Sequence, residues 1–179
     1  MMAWLPTLLN ERFGLDAKQL SVACLPYIAL GVGKWVGGKS EYIAAEWFGV
    51  TGQLKQRKAI GVSGCVGGAV FVLFALWAPT WQLAIFFFCA ERVVETAGAL
   101  GGFTVNKLEV VAPRYVGALE AWTNTLAAAS GMLAVRMAAV LVEMTGGWDA
   151  VFVMIASVYL IAAVSYQRMA SCTPIARLS

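Results

Sequence analysis

Residues 59–78 read AIGVSGCVGGAVFVLFALWA, from Ala59 to Ala78. No charged side chain interrupts the run, and a helix needs roughly 20 mostly apolar residues to cross about 30 Å of hydrocarbon. A strand of a membrane barrel would alternate apolar and polar residues over about ten positions, whereas this run is continuously apolar and rich in Gly and Ala. The stretch therefore predicts a transmembrane helix. Working outward, four more stretches qualify on the same grounds: residues 20–40, 81–105, 116–142 and 150–169. The breaks between them are polar or turn-forming. Residues 10–18 are polar, 51–58 carry Lys55, Arg57 and Lys58, Ala78-Pro79-Thr80 forms a tight turn, 106–115 hold Lys107, Glu109, Pro113 and Arg114, and 145–149 form a short loop.

Composition agrees. The chain has 179 residues, 60% hydrophobic and 13% charged, with no histidine, and a mean hydropathy of +0.75. Soluble domains carry about 25% charged residues, so too little polar surface is present to coat a water-soluble globule. Disorder is excluded because disordered chains are poor in apolar residues. Nucleic-acid binding is not expected, since the net charge is only +3 and the cations form no stripe with interleaved aromatics. Four cysteines, none in a CxxC pair, exclude a disulfide scaffold. Without histidine or clustered thiols a structural zinc site is not expected. No phosphate-cradling loop follows a strand, so no cofactor is expected. Ser63, Ser130, Ser157 and Ser165 have no histidine to activate them, which argues against an enzyme.

The charges orient the spans. If connectors alternate sides, Lys39, Lys55, Arg57, Lys58, Lys107, Arg114, Arg168 and Arg177 share one side, and only Arg12 and Lys18 fall on the other. That bias places the cationic side in the cytoplasm, or the stroma of a plastid. Residues 1–9 are apolar but too short to span, and they lack the cationic start and cleavage site of a secretory signal. They read as the outer end of a sixth helix, which makes the chain look like the tail of a longer protein. Small residues recur four apart at Gly33/Gly37, Gly64/Gly68 and Gly98/Gly102, a spacing that lets helix backbones approach closely in lipid.

Several stretches taken in order resemble one family. Trp4-Leu5-Pro6-Thr7 is followed by Phe13-Gly14 and Leu25-Pro26-Tyr27. Then come Gly102-Phe103-Thr104-Val105-Asn106-Lys107-Leu108-Glu109, Ala112-Pro113-Arg114-Tyr115 and Gly117. Thr123-Asn124-Thr125 lies in the fourth span, and Gly147-Trp148-Asp149-Ala150-Val151-Phe152 opens the fifth. From about Trp4 to Ser171 this is similar to the C-terminal half of the anion:cation symporters of the major facilitator superfamily. That family includes vesicular glutamate transporters, sodium–phosphate cotransporters and plastid anion transporters. The resemblance implies an all-α integral membrane fold with five complete transmembrane helices plus the end of a sixth, matching helices seven (end) to twelve of twelve. It implies as partners the lipid bilayer, a small anion with H⁺ or Na⁺, and a missing N-terminal half. The membrane would be a plastid envelope or thylakoid, or a plasma or vesicular membrane. Two motifs depart from the family: Asn106-Lys107-Leu108-Glu109 stands where Asn-His-Leu-Asp is usual, and Gly37-Gly38-Lys39-Ser40-Glu41 keeps only the carboxylate of Gly-x-x-Ala-Asp.

Glu91, Arg92 and Glu95 lie about 15–20 Å along the 81–105 span at about 1.5 Å per residue. Charges at that depth cost at least about 2.5–3.5 kcal/mol each unless paired or hydrated. Glu91 and Glu95 share a helix face and Arg92 reaches Glu95 at i+3. Two readings stand: a water-lined site where carboxylates take a coupling cation and Arg92 attracts an anion, or a structural cluster between helices. Asn124 is either a cavity-lining hydrogen-bonding group or an interhelical contact. Lys34 and Arg136 read as snorkelling side chains. Glu41 reads as one side of a charge pair that latches a conformation, and Lys107, Glu109 and Arg114 as gate contacts. The function expected is the C-terminal part of a secondary active anion transporter. The alternative is a truncated, non-transporting membrane scaffold that packs against partner helices.

Overall fold

The computed structural model describes residues 4–173, and all regular structure among them is helical. Helix α1 spans Leu5–Phe13, starts with Pro6 in its first turn and stops at Gly14, whose φ of 66° suits a residue without Cβ. Of the apolar stub at residues 1–9, the part from Leu5 belongs to this helix, which runs on into the supposed polar break; residues 1–3 lie outside the described residues. A 3₁₀ turn over Gln19–Cys24 leads into α2, Leu25–Gly38, so the 20–40 stretch begins as 3₁₀ and only then becomes α-helical. Pro26 sits in the first turn of α2, where its missing N–H is not needed. A short helix not foreseen from sequence, α3, covers Ser40–Glu46.

The largest departure concerns residues 51–58, expected as a connector. Helix α4 spans Gln53–Leu76, so Lys55, Arg57 and Lys58 ride on its first turns. Gly52 turns the chain at φ 91°, and the residues that follow are strong helix formers with nothing to break the helix. Helix α5 spans Trp81–Gly98, with Thr80 capping Leu83 N–H. It does not end there: a π-helical segment over Ala99–Thr104 joins it to α6, Val105–Glu109. The helical run thus passes the expected end at 105 and takes in Asn106 to Glu109, which continue the helix instead of forming a loop. A 3₁₀ turn at Pro113–Tyr115 precedes α7, Val116–Thr145, which ends three residues later than expected at Gly146; α8 spans Asp149–Met169.

Four helical segments are long and apolar enough to cross a membrane: Gln19–Gly38, Gln53–Leu76, Pro113–Thr145 and Asp149–Met169. This is a multi-pass membrane protein. The expected fifth span does not stand beside these four on composition, because Glu91, Arg92 and Glu95 all fall within Trp81–Gly98.

Helix α5 occupies the middle, packed on one side against α2 and on another against α4, and α4 also packs along α8. Small residues set these distances. A Cβ on Gly64 would stand 2.6 Å from the Cα of Gly98, and one on Gly102 would stand 2.6 Å from that of Gly61. On α2, a Cβ at Gly33 would reach the Val93 carbonyl at 2.8 Å, and one at Gly37 the Ala97 carbonyl at 3.0 Å. The close helix packing expected from the Gly61–Gly68 stretch is thus present. The buried core lies at the end away from Lys39, Lys55 and Lys58, where Leu5, Leu8 and Leu9 of α1 meet Val72 and Leu76 of α4, Phe88 of α5 and Phe152 of α8. Helix α7 is the least covered, with Ala138 its buried residue.

Candidate functional site

Two tyrosines on α8 organise the middle of the molecule. Tyr159 and Tyr166 stand two turns apart, as do Gly68 and Gly61 on the neighbouring α4. The Tyr159 ring lies against Gly68 and the Tyr166 ring against Gly61, where an added Cβ would fall 3.3 Å and 2.6 Å from ring carbons. With no side chain in the way, both hydroxyls reach past α4 to α5 and its continuation. Tyr166 donates to the Gly102 carbonyl at 3.0 Å, and Tyr159 donates to a carboxylate oxygen of Glu91.

Glu91 is almost completely buried, with 1% of its side chain exposed. Arg92 donates through Nε to Glu91 Oε2 at 2.5 Å, through Nη2 to Glu91 Oε1 and through Nη2 to the Tyr159 hydroxyl at 2.9 Å. Its remaining nitrogen, Nη1, lies 3.6 Å from Glu95 Oε2, and Glu95 also accepts from the Thr96 hydroxyl at 3.2 Å. The three charges read from the sequence do come together. The expected i+3 contact of Arg92 with Glu95 is present, but the main partner of Arg92 is its neighbour Glu91, in a fork of charge-assisted bonds. Tyr159 was missed. The signal for it was a tyrosine set two turns from another on α8, matching the glycine spacing on α4.

Arg92 and Tyr159 border a cavity of about 860 Å³ between α5, α7 and α8, lined otherwise by apolar residues such as Ala128, Met132 and Ile155. Asn124 does not join the charge cluster. It is exposed on α7, one turn before Ala128 and so on the same helix face as that lining residue.

At the cationic end Arg57 is the hub, with 5% of its side chain exposed. It pairs with Glu41 of α3, grips Glu109 through Nε at 3.1 Å and Nη2 at 2.5 Å, and donates through Nη1 to the Gly101 carbonyl at 3.1 Å. Gly101 belongs to the π-helical segment. The Arg57 hydrogen bonds hold the Glu109 carboxyl below the usual carboxylate range, against the opposing effect of burial and with help from Gln53. Asn106 is buried and donates to the Ser171 carbonyl at 2.9 Å, tying α6 to the chain after α8.

Glu41 and Glu109 therefore meet through Arg57, whose segment reads from sequence equally as a latch of charge pairs and as a plain topology signal. Lys107 goes elsewhere, to Glu120 at 2.7 Å and the Thr123 hydroxyl at 3.1 Å on α7. Arg114 stacks over the Tyr115 ring, 4.9 Å from its centroid. Arg177 lies outside the described residues.

Comparison with known proteins adds the family context. The chain is 29% identical to human sialin over 95% of this chain and 34% of sialin. It is 27% identical to the voltage-gated purine nucleotide uniporter of Mus musculus, over 87% of this chain and 34% of the uniporter. It is 21% identical to the chloroplastic ascorbate transporter of Arabidopsis thaliana, over 96% of this chain and 31% of that protein. The likeness is to anion transporters of the major facilitator superfamily. No family model matches the chain. The chain spans about a third of the length of the curated relatives it matches.

Proposed function

We propose that this chain forms part of a secondary active transporter of organic or inorganic anions, and corresponds to the C-terminal helices, from the end of seven to twelve, of a major facilitator fold. The observation that carries the reading is the Glu91–Arg92–Glu95 cluster, set within an apolar helix and bordering an open cavity. Charges so placed are costly unless they serve a hydrated path or satisfy one another. Here Glu91 is satisfied, while Glu95 holds Arg92 only through the longer 3.6 Å contact.

That asymmetry supports cation coupling. With both carboxylates ionised the three groups sum to one negative charge, which repels an anion from the cavity. A proton or Na⁺ on Glu95 neutralises the cluster and releases Arg92 Nη1 to face an anion, while Glu91 and Tyr159 keep the guanidinium in place. Cation and anion are then bound together, as a symporter driven by a cation gradient or the membrane potential requires. Asn124 adds an amide on the α7 wall beside the same cavity. In the alternating-access scheme, two helical halves rock about a site near the bilayer midplane. Arg57, Glu41 and Glu109, with Lys107 and Arg114 near by, act as cytoplasmic contacts that hold one of the two arrangements.

The test is uptake of labelled anions (phosphate, sialate, ascorbate and a purine nucleotide) into vesicles carrying the full-length product, with imposed H⁺ or Na⁺ gradients. Saturable uptake of one anion is expected, and Glu95→Gln is expected to uncouple it from the cation gradient. Full gradient-driven uptake by Glu95→Gln would remove Glu95 from the mechanism, and no uptake of any anion by the wild type would remove the proposal.

A further inference from the structure

A second apolar space lies away from the charge cluster. Helices α2 and α4 both pack on α5 but leave a crevice between them, with about 460 Å³ of open space, within the range of about 300–1,000 Å³ usual for small-molecule sites. Val36 of α2 and Ala59 and Ser63 of α4 form its walls, Val94 and Ala97 of α5 its floor, and Phe48, just past α3, closes it at the cationic end.

The rim is mainly cationic. Lys55 stands one turn before Ala59 on the same face of α4, and Lys58 adjoins Ala59 in sequence. Among the described residues neither makes an ion pair, because Glu41 and Glu109 are both taken by Arg57. Lys39 precedes Ser40, another lining residue, and its ammonium lies 4.3 Å from the centroid of the Trp35 ring. Glu46, at the end of α3, is the acidic residue set against these three lysines. Trp35, Tyr42 and Trp47 are exposed around the same end, the composition of a headgroup-level aromatic belt. An apolar crevice between membrane helices with a basic rim at headgroup depth has the chemistry that holds an anionic lipid.

We infer that the crevice between α2 and α4 is a binding site for one anionic phospholipid, with an acyl chain against Val36, Ala59 and Ala97 and the headgroup phosphate on Lys55 and Lys58. Lys39 adds a third cation at the rim. A phosphatidylcholine chain fits the same crevice, but its zwitterionic headgroup gains nothing from the lysines, so the site selects by charge.

The test is native mass spectrometry of the full chain extracted from vesicles of equal phosphatidylcholine and phosphatidylglycerol. One phosphatidylglycerol is expected to remain bound in preference to phosphatidylcholine, and excess inorganic phosphate should not displace it. Lys55→Gln and Lys58→Gln should each lower the preference about fivefold. Ala59→Phe, which fills the crevice, should lose bound lipid of both kinds with helical content unchanged. Ser63→Leu, on the exposed wall, serves the same purpose if Ala59→Phe does not fold. Equal retention of the two lipids by the wild type, a preference untouched by either lysine change, or a filled crevice that still holds lipid would each overturn the inference.

Discussion

At the scale of single residues, Tyr159 holds the key polar contact of the interior. Its hydroxyl donates to Glu91 and accepts from Arg92, while its ring needs only the glycine socket of Gly68. Tyr159→Phe keeps the ring and removes both bonds, so a loss of about 1–2 kcal/mol is expected, read as a lower melting temperature in detergent. Glu91→Gln should cost more, about 3 kcal/mol, because it leaves the largely buried guanidinium with only the longer Glu95 contact. Glu109 makes a prediction in pH. Its carboxyl is held below the ordinary range by Arg57, so the folded state binds a proton less readily than the unfolded chain. The stabilising contact is therefore fully present above the unfolded carboxylate value of about 4.3 and is lost as pH falls through the lower folded value. A cysteine pair reporting the distance between α3 and α6 should stay short through the ordinary carboxylate range and lengthen only at more acid pH, and in Glu109→Gln it should show no such acid transition. Of these residues the charges were legible in the sequence, because an ion in an apolar helix stands out. Tyr159 was not, because a tyrosine is unremarkable at a helix position, and nothing singled out Arg57 among the cations of its segment as the hub.

At the scale of elements, glycine spacing sets which helices touch. Gly64 on α4 and Gly98 on α5 stand so close that a Cβ on either meets the other's Cα at 2.6 or 2.5 Å, and backbone cannot yield as a flexible side chain does. Gly64→Ala should therefore push α4 off α5 and destabilise by more than about 1 kcal/mol, despite the better helix propensity of alanine. Gly131 on α7 has open space where its Cβ would be. Gly131→Ala should accordingly be neutral or stabilising by up to about 1 kcal/mol. Thermal unfolding of the two variants side by side reads the difference. The helices themselves were legible from hydropathy, with ends misplaced where polar residues continue a helix rather than break it. Lys55 to Lys58 are good helix formers, and so α4 begins in what composition marks as a connector. The π-helical segment after Gly98 left no mark in the sequence, since the glycines that permit it occur in ordinary helices as well.

At the scale of the whole molecule, the polar features separate into two ends and a middle. The apolar core that gathers α1, α4, α5 and α8 lies at one end, the Arg57 hub with Lys39, Lys55 and Lys58 at the other, and the Glu91–Arg92 cluster between them. Single cysteines at Lys58 and Arg114 should be labelled by a membrane-impermeant maleimide from one side of sealed vesicles, and cysteines at Thr80 and Gly147 from the opposite side. Labelling of Lys58 and Arg114 from different sides would refute the orientation. The scarcity of charge and the run lengths determined by themselves that this is a helical membrane protein, because transfer of a side chain from water to lipid is a local property that sums along the chain. Tertiary structure alone decided that Tyr159 completes the Glu91–Arg92 pair, that Arg57 joins Glu41 to Glu109, and that Lys107 turns to α7 instead. A helix apolar on every side carries no stripe to say which face meets which neighbour, so those partnerships follow only from where small residues let the backbones close.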